Sequence, residues 1–361
     1  MTFSASHLGV LAIAFFFGVV STAATRRLAL RLGFVSKPNP IVPQHTRTVA
    51  YLGGFGVAFG AVCALATVQI LGSMDIISLG LDVPRGILWG GVLFLALGIA
   101  DDLHVFSAIL KFGFQIIAAG AAVASGLVYA FTGLPWIDAA LSLLWILIIV
   151  NALNLTDVCD GLVGGLSVIM LVFLAACGIL EPVLALAFCG ALMGFLIFNL
   201  PPARIFLGDA GSHLLGFVLA SGLLRVNSPL PGIHLPAMLL FLSVPLFELG
   251  FLTVIRMKKG LPWWKGSPDH FSLRLQAAGC TRLQTDLIAW YVSASGCLAA
   301  ILFAIAAPRY QLLILAVSAC AFSLAWKNLL KWEVVRPDPV GESETKSEVK
   351  SELDAQSQVP I

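Results

Sequence analysis

Charged side chains are scarce in this chain: only 11% of its 361 residues are Asp, Glu, Lys or Arg. Soluble domains carry about 25% charged residues, so this scarcity excludes a soluble globular protein. Apolar residues are in excess, since 59% of the chain is hydrophobic and the mean hydropathy is +0.97. The seven cysteines form no CxxC pair and are interpreted as small core residues. The composition predicts a polytopic membrane protein.

The long apolar runs predict an all-α protein with about eleven transmembrane helices. A span needs about 20 apolar residues. No lysine or arginine precedes the first run, whereas Arg26, Arg27 and Arg31 follow it, so that run is expected to be a retained helix and not a secretory signal. The candidate spans are residues 7–25, 50–71, 85–100, 108–130, 138–153, 162–179, 183–199, 211–225, 235–256, 287–307 and 309–326.

The distribution of positive charge predicts the orientation of these spans. With the N-terminus outside, only Arg85, Arg225 and Arg309 among the 21 lysines and arginines fall on the outer side, as the positive-inside rule requires. The odd number of spans then places the C-terminus in the cytoplasm. Residues 1–332 are expected to form one transmembrane catalytic domain, and the polar residues 333–361 a disordered cytoplasmic tail.

Six aspartates follow or begin apolar runs, and the alternating direction of the spans places all six on the predicted cytoplasmic face. A carboxylate near the hydrocarbon core costs about 2.5–3.5 kcal/mol on insertion scales, so such residues are seldom without function. The donors are carboxylate and amide oxygens without a Cys/His cluster, which favours Mg²⁺ or Mn²⁺ over zinc. The six are Asp101, Asp102, Asp157, Asp160, Asp209 and Asp269.

Two of these acids are adjacent, and a third polar group follows them closely. Asp101 and Asp102 repel each other and need a counter-charge, which a divalent cation, a lysine or a shared proton can supply. Lys111 lies in the first turn of the next apolar run. Taken alone, Asp101 and Asp102 would be ordinary surface acids at a helix end. The polar residues of the neighbouring loops favour a functional site instead.

A polar stripe ends the run at 138–153. Asn151, Asn154, Asp157 and Asp160 recur at every third residue, and on a helix this spacing aligns them on one face. The alternative to a ligand site is a stripe that forms hydrogen bonds between helices. The cost of buried acids favours the ligand site.

The loop at 200–212 combines a helix start with anion-binding side chains. Asp209 and Ser212 lie between glycines at the start of an apolar run, where free backbone N–H groups favour a phosphate. Arg204 is a second candidate anion contact. Phe206 is either a core residue or a ring on which a base stacks.

The largest polar inner loop, about residues 257–286, carries a net positive charge. One interpretation is contact with anionic lipid, and the other is a clamp for a phosphorylated substrate. Its charged residues include Lys258, Lys259, Lys265, Asp269, His270 and Arg274.

These segments, in this order and spacing, resemble the polyprenyl-phosphate N-acetylhexosamine-1-phosphate transferase superfamily, glycosyltransferase family 4, over about residues 10–330. The superfamily includes bacterial enzymes that start O-antigen, enterobacterial common antigen and teichoic-acid linkage, and the phospho-MurNAc-pentapeptide translocase. Beyond the residues above, the matching motifs include Lys37-Pro38-Asn39, His45, Gly53-Gly54, Phe198-Asn199 and Pro202-Ala203.

The resemblance implies that a lipid phosphate attacks the β-phosphate of a UDP-sugar and yields a polyprenyl-diphospho-sugar and UMP. The expected partners are undecaprenyl phosphate, a UDP-N-acetylhexosamine with GlcNAc favoured, and membrane lipid. A homodimer is an open expectation, and no nucleic acid is expected. The implied location is the bacterial inner membrane, with the active site on its cytoplasmic face.

The resemblance also implies roles for individual residues. Asn154 and Asp209 would hold Mg²⁺, with Mn²⁺ as an alternative. The expected catalytic residues are Asp101, Asp102, Lys111, Asp157 and His270. The expected substrate-binding residues are His45, Asn151, Asp160, Arg204, Phe206, Ser212 and Arg274.

Two departures from the superfamily pattern bear on the sugar and on rival functions. Glu248 replaces the aspartate common in the ninth span, and only His270 remains of a histidine-rich motif. Both argue against the rival donor, UDP-MurNAc-pentapeptide. The rival from another class is a cation-coupled transporter, which should place acids near the bilayer midplane and repeat its halves. Here Glu248 alone lies well inside a span, and no repeat is visible.

Overall fold

The predicted all-α membrane architecture is confirmed. The computed structural model describes residues 3–36, 47–74, 76, 79, 83–224, 234–262 and 264–334. These residues form thirteen helices and one short hairpin. The helices are α1 Ala5–Leu32, α2 Gly53–Ser73, α3 Arg85–His104, α4 Ala108–Ala124, α5 Pro135–Thr156, α6 Leu162–Ala176, α7 Pro182–Asn199, α8 Gly208–Leu223, α9 Leu235–Phe241, α10 Ser243–Lys258, α11 Phe271–Ala277, α12 Arg282–Ile305 and α13 Pro308–Leu329.

Each predicted span coincides with a helix or a broken helix pair. By length and apolar composition, seven of the described helices can cross a membrane, or eight if α9 and α10 count together. The helices α4, α6 and α8 have 17, 15 and 16 residues, which is about 23–26 Å at 1.5 Å per residue. That is less than the roughly 30 Å of a hydrocarbon core. The count of eleven crossings and the orientation therefore stay predictions.

The single span predicted at 235–256 is broken in two. The helices α9 and α10 meet at Leu242 with an angle of 86° between them. Pro245 has no backbone N–H, and its ring clashes in a continuous helix with the carbonyl four residues earlier. That carbonyl belongs to Phe241, the last residue of α9.

Helix α8 lies at the centre of the fold and is buried along almost its whole length. It packs against α2, α3 and α5, and glycines let these helices approach closely. A Cβ on Gly54 of α2 would collide with the backbone of Gly211, and one on Gly98 of α3 with the backbone of Asp209 and Ala210. Small residues at helix contacts are the usual means of close packing in membranes. They bring the end of α3 onto the start of α8.

A hairpin joins the segment after α1 to the loop before α8. Strands β1 (Val35–Ser36) and β2 (Val49–Ala50) are antiparallel, with Val35 opposite Ala50. The carbonyl of Ala50 accepts the N–H of Phe206 at 2.9 Å, and the carbonyl of Phe206 accepts the N–H of Gly53 at 2.8 Å. The segment that follows α1 and the loop that precedes α8 are therefore joined to each other by hydrogen bonds.

Candidate active site

The turn between α3 and α4 brings a carboxylate and an ammonium group together. Val105 ends α3 with φ 47°, and the backbone N–H of Phe106 then donates to Asp101 Oδ1 at 2.6 Å. Ser107 caps α4 through the N–H of Leu110. Lys111, in the first turn of α4, places its Nζ 2.8 Å from Asp101 Oδ2. The spacing from Asp101 to Lys111 is thus that of a tight helix–turn–helix.

Asp102 caps the start of α8. Its Oδ1 accepts the N–H of Asp209 at 2.7 Å, and its Oδ2 accepts the N–H of Ala210 at 3.1 Å. A carboxylate at this position satisfies unpaired donors and is stabilised by the helix dipole. Gly208 has φ 75°, and a Cβ there would lie 2.7 Å from Asp102 Oδ2. The prediction that these N–H groups bind a phosphate is therefore wrong, because Asp102 occupies them.

Lys111 and Asp209 form the centre of the cluster. Lys111 Nζ lies 2.6 Å from Asp209 Oδ2 and 3.5 Å from Asn154 Oδ1. Asn154 Nδ2 donates to Asp209 Oδ1 at 2.6 Å and to the buried Ser212 Oγ at 2.9 Å. The ends of α3, α5 and α8 thus meet at one ammonium group.

A buried chain of polar side chains supports this cluster, and it includes two residues that sequence reasoning missed. Asn151 Nδ2 donates to Gln115 Oε1 at 2.7 Å, and Gln115 Nε2 lies 2.9 Å from His213 Nε2. His213 Nδ1 is 2.6 Å from the carbonyl oxygen of Asp209. Gln115 and His213 each follow a site residue, Lys111 or Asp209, by four positions. This i, i+4 spacing on one helix face could have revealed them.

Most of the residues of this cluster line a cavity of about 710 Å³. Apolar and aromatic walls surround its polar floor, as in other substrate sites. The predicted site residues among its described lining are Asp101, Asp102, Lys111, Asn151, Asn154 and Asp209. Further lining residues include Phe34, Tyr51, Phe106, Phe112, Gln115, Leu249, Arg256 and Trp264.

Two groups near the carboxylate cluster have raised pKa values: Tyr51, which lines the cavity, and Asp157, which is not among the described lining residues. Burial raises the pKa of Asp157 well above its usual value, and the nearby charges of Asp209, Asp102 and Asp160 add to the shift. Burial and the charge of Asp102 likewise raise the pKa of the Tyr51 hydroxyl. Like charges disfavour ionisation of their neighbours. An added cation would relieve this repulsion.

The donor set fits a hard divalent cation. Asp209 presents a carboxylate and Asn154 an amide oxygen, the carboxylates of Asp101 and Asp102 lie beside them in the cavity lining, and Lys111 supplies one compensating charge. Mg²⁺ prefers such oxygen donors and commonly takes only one or two carboxylates beside substrate phosphates. No group of three His, Cys, Asp or Glu residues with metal-binding geometry occurs in the part of the chain that the structure describes. The site therefore fits Mg²⁺ shared with a phosphate substrate, not an all-protein cage.

The other predicted residues of the central loops do not line the cavity. Asp160 Oδ2 accepts the N–H of Ala203 at 3.0 Å and lies 3.1 Å from a guanidinium nitrogen of Arg282. Arg204 donates to the carbonyl of Ile197 and lies over the Phe198 ring, 5.1 Å from its centroid. These contacts tie the loop at 200–204 to its neighbouring helices.

Phe206 contacts the cavity wall from behind. Its ring meets the Tyr51 ring edge-on, with centroids 6.3 Å apart, and Tyr51 itself lines the cavity. Phe206 is not among the described lining residues of the cavity. His45, the remaining residue predicted to bind substrate, lies outside the described residues.

His270 and Arg274 belong to a second buried cluster. His270 Nδ1 lies 2.6 Å from Glu248 Oε1, and Glu248 Oε2 accepts the N–H of Phe271 at 3.1 Å. Arg274 donates to Asp269 Oδ1 at 2.7 Å. This cluster fixes the start of α11 against α10, and neither residue lines the cavity.

Further contacts of Arg274 and Asp269 join this cluster to the end of the helical region. The Arg274 guanidinium also donates to the carbonyls of Leu329 and Trp332. The pKa of Asp269 lies below its usual value. Burial by itself would raise this pKa, but the hydrogen bonds from Lys259 and Arg274 have the larger effect.

The fold and the cavity define a multi-pass membrane protein with a carboxylate-rich site at the ends of its helices. The sequence model of glycosyl transferase family 4 matches residues 85–227 of this chain. The matched segment contains Asp101, Lys111, Asn154 and Asp209, the residues that meet at the cavity floor.

Curated relatives extend the similarity beyond that segment. A probable undecaprenyl-phosphate N-acetylglucosaminyl 1-phosphate transferase of Bacillus subtilis is 28% identical over 289 residues, which is 76% of this chain and 78% of the relative. A decaprenyl-phosphate N-acetylglucosaminephosphotransferase of Mycobacterium tuberculosis is 28% identical over 307 residues, 74% of this chain and 75% of the relative. A phospho-N-acetylmuramoyl-pentapeptide-transferase of Leuconostoc mesenteroides is 36% identical over 154 residues, 40% of this chain and 45% of the relative.

Proposed function

We propose that this protein transfers GlcNAc 1-phosphate from UDP-GlcNAc to undecaprenyl phosphate and thereby starts a cell-surface glycan. One observation carries the proposal: Asp101, Asp102, Asn154 and Asp209 converge around Lys111 at the floor of one large cavity. Phosphoryl transfer depends mainly on positioning and on neutralisation of charge. The relatives that span most of their length with this chain are named as transferases of this kind.

The reaction needs no side chain as nucleophile. An oxygen of the lipid phosphate forms a bond to the β-phosphorus of UDP-GlcNAc, while the bond from that phosphorus to the bridging oxygen of UMP breaks. UMP leaves with the electron pair of that oxygen. A phosphate monoester has a second pKa near 6, so the lipid phosphate is largely dianionic at neutral pH and needs no general base.

Individual residues then have defined roles. Lys111, paired with Asp101 and Asp209, supplies positive charge beside the reacting phosphates. Asp102 fixes the position of Asp209 through its backbone N–H. Asn154 holds the side chain of Asp209 by a 2.6 Å hydrogen bond. Because these groups are held before substrate binds, little reorganisation accompanies the chemical step.

A divalent cation is part of this proposal. Asp209 and Asn154 are the residues that would hold Mg²⁺, with Mn²⁺ as an alternative, together with phosphate oxygens of the donor. Bound there, the ion supplies charge neutralisation for the diphosphate. The three carboxylates of the cavity lining would otherwise repel a diphosphate, since Lys111 and Arg256 are the two cationic residues among the described lining residues.

The proposed membrane location and the orientation of the site follow from the positions of these residues. The cavity residues lie at the ends of α3, α5 and α10 and at the starts of α4 and α8, which the positive-inside rule assigns to the cytoplasm. We therefore propose a bacterial inner-membrane enzyme with a cytoplasm-facing site, where UDP-sugars are made. A homodimer remains compatible with this proposal.

A transporter with an intramembrane acid relay is the rival from another class. Glu248, the one acid well inside a predicted span, has both carboxylate oxygens bound to His270 and Phe271. These contacts give Glu248 a structural role within the fold. No specific observation among the described residues then favours a relay of protons or cations through Glu248.

The experiment is a donor screen. Purified protein in detergent with undecaprenyl phosphate and Mg²⁺ is given UDP-GlcNAc, UDP-GalNAc or UDP-MurNAc-pentapeptide, and UMP release is measured. Release with UDP-GlcNAc that requires both lipid and Mg²⁺ supports the proposal. Turnover with UDP-MurNAc-pentapeptide alone would establish the rival donor. Absence of UMP with every donor, together with solute uptake in proteoliposomes, would establish the transporter.

A further inference from the structure

Tyr51 lies in the wall of the cavity that the hairpin segment contributes. It directly follows strand β2 and is half-buried. Tyrosines of membrane proteins are commonly found at the membrane surface, where the ring contacts lipid and the hydroxyl contacts water. Tyr291 and Tyr310 are 75% and 50% exposed and fit that role. The position of Tyr51 in the cavity wall needs another explanation.

Hydrogen bonds hold the backbone on both sides of Tyr51. Its own N–H donates to the carbonyl of Phe34 at 3.1 Å, and the N–H of Gly53, two residues later, donates to the carbonyl of Phe206 at 2.8 Å. The ring of Phe206 also meets the Tyr51 ring edge-on. The position of Tyr51 is therefore set before a substrate binds, and a contact with substrate costs little ordering of this residue.

The Tyr51 hydroxyl lies near the carboxylate cluster. Burial raises the pKa of this hydroxyl, and the charges of four nearby carboxylates raise it further, those of Asp102, Asp209, Asp157 and Asp101. Because the hydroxyl keeps its proton at neutral pH, it can donate a hydrogen bond. A neutral donor can bind an anion beside these acids without adding a charge of its own.

The donor capacity of this hydroxyl is not used within the fold. Among the described ranges of the chain, no residue shares a hydrogen bond with the Tyr51 hydroxyl. The hydroxyl of a largely buried tyrosine usually finds a partner. In the proposed reaction, the acceptors that come closest to Asp209 and Asn154 are phosphate oxygens of the substrates. A hydrogen bond to such a charged oxygen is stronger than one between neutral groups.

We propose that the Tyr51 hydroxyl donates a hydrogen bond to a phosphate oxygen of a substrate bound in this cavity. The phosphate is either the diphosphate of the nucleotide-sugar or the phosphate of the polyprenyl lipid, and both present the same anionic oxygens. This inference rests on the proposed function and adds to it a binding residue on the wall that the hairpin segment contributes.

The test compares Tyr51→Phe with the wild type and with the matched control Tyr291→Phe, which removes an exposed hydroxyl from α12. UMP release is measured while UDP-GlcNAc is varied at saturating undecaprenyl phosphate, and the reverse. Tyr51→Phe should raise one KM at least about tenfold, as expected for the loss of a hydrogen bond to a charged group. Its unfolding temperature should equal that of the wild type, because no described residue loses a partner. Tyr291→Phe should change neither KM.

The substrate whose KM rises more identifies the source of the phosphate. A larger rise for UDP-GlcNAc assigns the Tyr51 hydroxyl to the diphosphate, and a larger rise for undecaprenyl phosphate assigns it to the lipid. Unchanged KM values for both substrates in Tyr51→Phe overturn the inference, whatever the effect on the turnover number.

A purely structural role for Tyr51 gives a different pattern. Tyr51→Leu removes the hydroxyl together with the ring that packs against Phe206. If only this packing matters, Tyr51→Leu raises a KM whereas Tyr51→Phe does not, and the inference fails. A rise in KM of Tyr51→Phe that comes with a clearly lower unfolding temperature would mean that the hydroxyl supports the fold, which also overturns the inference.

Calorimetric titration separates this inference from the proposed function. UDP-GlcNAc and undecaprenyl phosphate are titrated separately, each with Mg²⁺ present, into the wild type and Tyr51→Phe. A wild type that releases no UMP contradicts the function, while a loss of affinity of about tenfold or more for one of the two ligands still supports the binding role. Equal affinities of the two proteins for both ligands overturn it.

Discussion

The carboxylate of Asp102 accepts the backbone N–H of Asp209 at 2.7 Å, so the end of α3 determines where the start of α8 lies. Asp209 in turn pairs with Lys111 of α4. Two acids that look equivalent in the sequence therefore have different roles, because Asp102 positions the backbone whereas Asp209 presents its side chain to the cavity.

Substitution of Asp102 should affect stability and activity together. Asp102→Ala removes both accepted hydrogen bonds at the start of α8 and should destabilise the protein by about 0.5–2 kcal/mol, the range for lost helix caps. Asp102→Asn keeps one acceptor and should lose less of both properties. Thermal unfolding in detergent and UMP release per folded molecule measure the two effects. Equal stability of the wild type and Asp102→Ala would contradict the capping role.

Asp209→Asn should abolish most turnover without unfolding the protein. The variant keeps the size of the side chain but loses the charge that binds Lys111 and, in our proposal, Mg²⁺. We expect UMP release to fall by about 100-fold or more, as for loss of a preorganised charged group in other active sites. Asp138→Asn is the matched control: Asp138 is held at the opposite end of α5 by Thr132 and Gly133. Full activity of Asp209→Asn would remove Asp209 from the site.

The buried hydrogen bonds that link Asn151, Gln115 and His213 should hold Asp209 in position. Gln115→Leu keeps the volume but leaves the amide of Asn151 and the ring of His213 without this partner. We expect a loss of about 1 kcal/mol for each broken hydrogen bond and a lower turnover number. Gln311→Leu is the control, because Gln311 bonds the carbonyl of Phe303 far from the cavity. Unchanged stability and turnover of Gln115→Leu would show that these hydrogen bonds contribute to neither property.

The pH dependence of stability should report on Asp269. Its pKa is lowered in the folded protein, so its ionised form contributes stability above the unfolded pKa of about 3.9. That contribution is lost as the pH falls through the lower pKa of the folded state.

The variant Asp269→Asn isolates this contribution. It should be less stable than the wild type at neutral pH because Arg274 loses its buried partner. The difference should stay constant well above about pH 3.9 and shrink as the pH falls below about 3.9 toward the lower pKa of the folded state, as followed by thermal unfolding. A difference that stays constant with pH would mean that Asp269 does not titrate in this way.

Phe206→Ala tests the predicted role of an aromatic ring in nucleotide binding. If the ring stacks on uracil when substrate binds, KM for UDP-GlcNAc should rise by about tenfold, since such stacking is worth roughly 1–3 kcal/mol. KM for undecaprenyl phosphate should not change. An unchanged KM for UDP-GlcNAc would leave Phe206 as a support for Tyr51, which is the contact that the structure shows.

The sequence predicts the convergence of Asp101, Lys111, Asn154 and Asp209, because each lies at a helix end on the same predicted side. That argument needs only the direction of the spans and the cost of acids near lipid. The sequence does not indicate which of these acids caps α8 and which faces the cavity. That depends on the side-chain directions of Asp101 and Asp102 beside the turn at Val105. Periodicity carries no information about that turn.

Other features depend on contacts between segments distant in the chain. The break at Leu242 could have been expected from Pro245, but the span was predicted from length and apolar content alone. The burial of Arg256 and the pairing of Glu248 with His270 require the loop after α10 to fold back. A loop of mixed charge does not specify such a path in its sequence.

The position of the broken phosphoanhydride bond tests the central claim most directly. UDP-GlcNAc labelled with ³²P at either the α- or the β-phosphate is incubated with the protein, undecaprenyl phosphate and Mg²⁺, and lipid and water-soluble products are separated. The account predicts that the β-label enters the lipid product and the α-label leaves as UMP. Transfer of neither label to the lipid, or release of labelled UDP from both preparations, would contradict it.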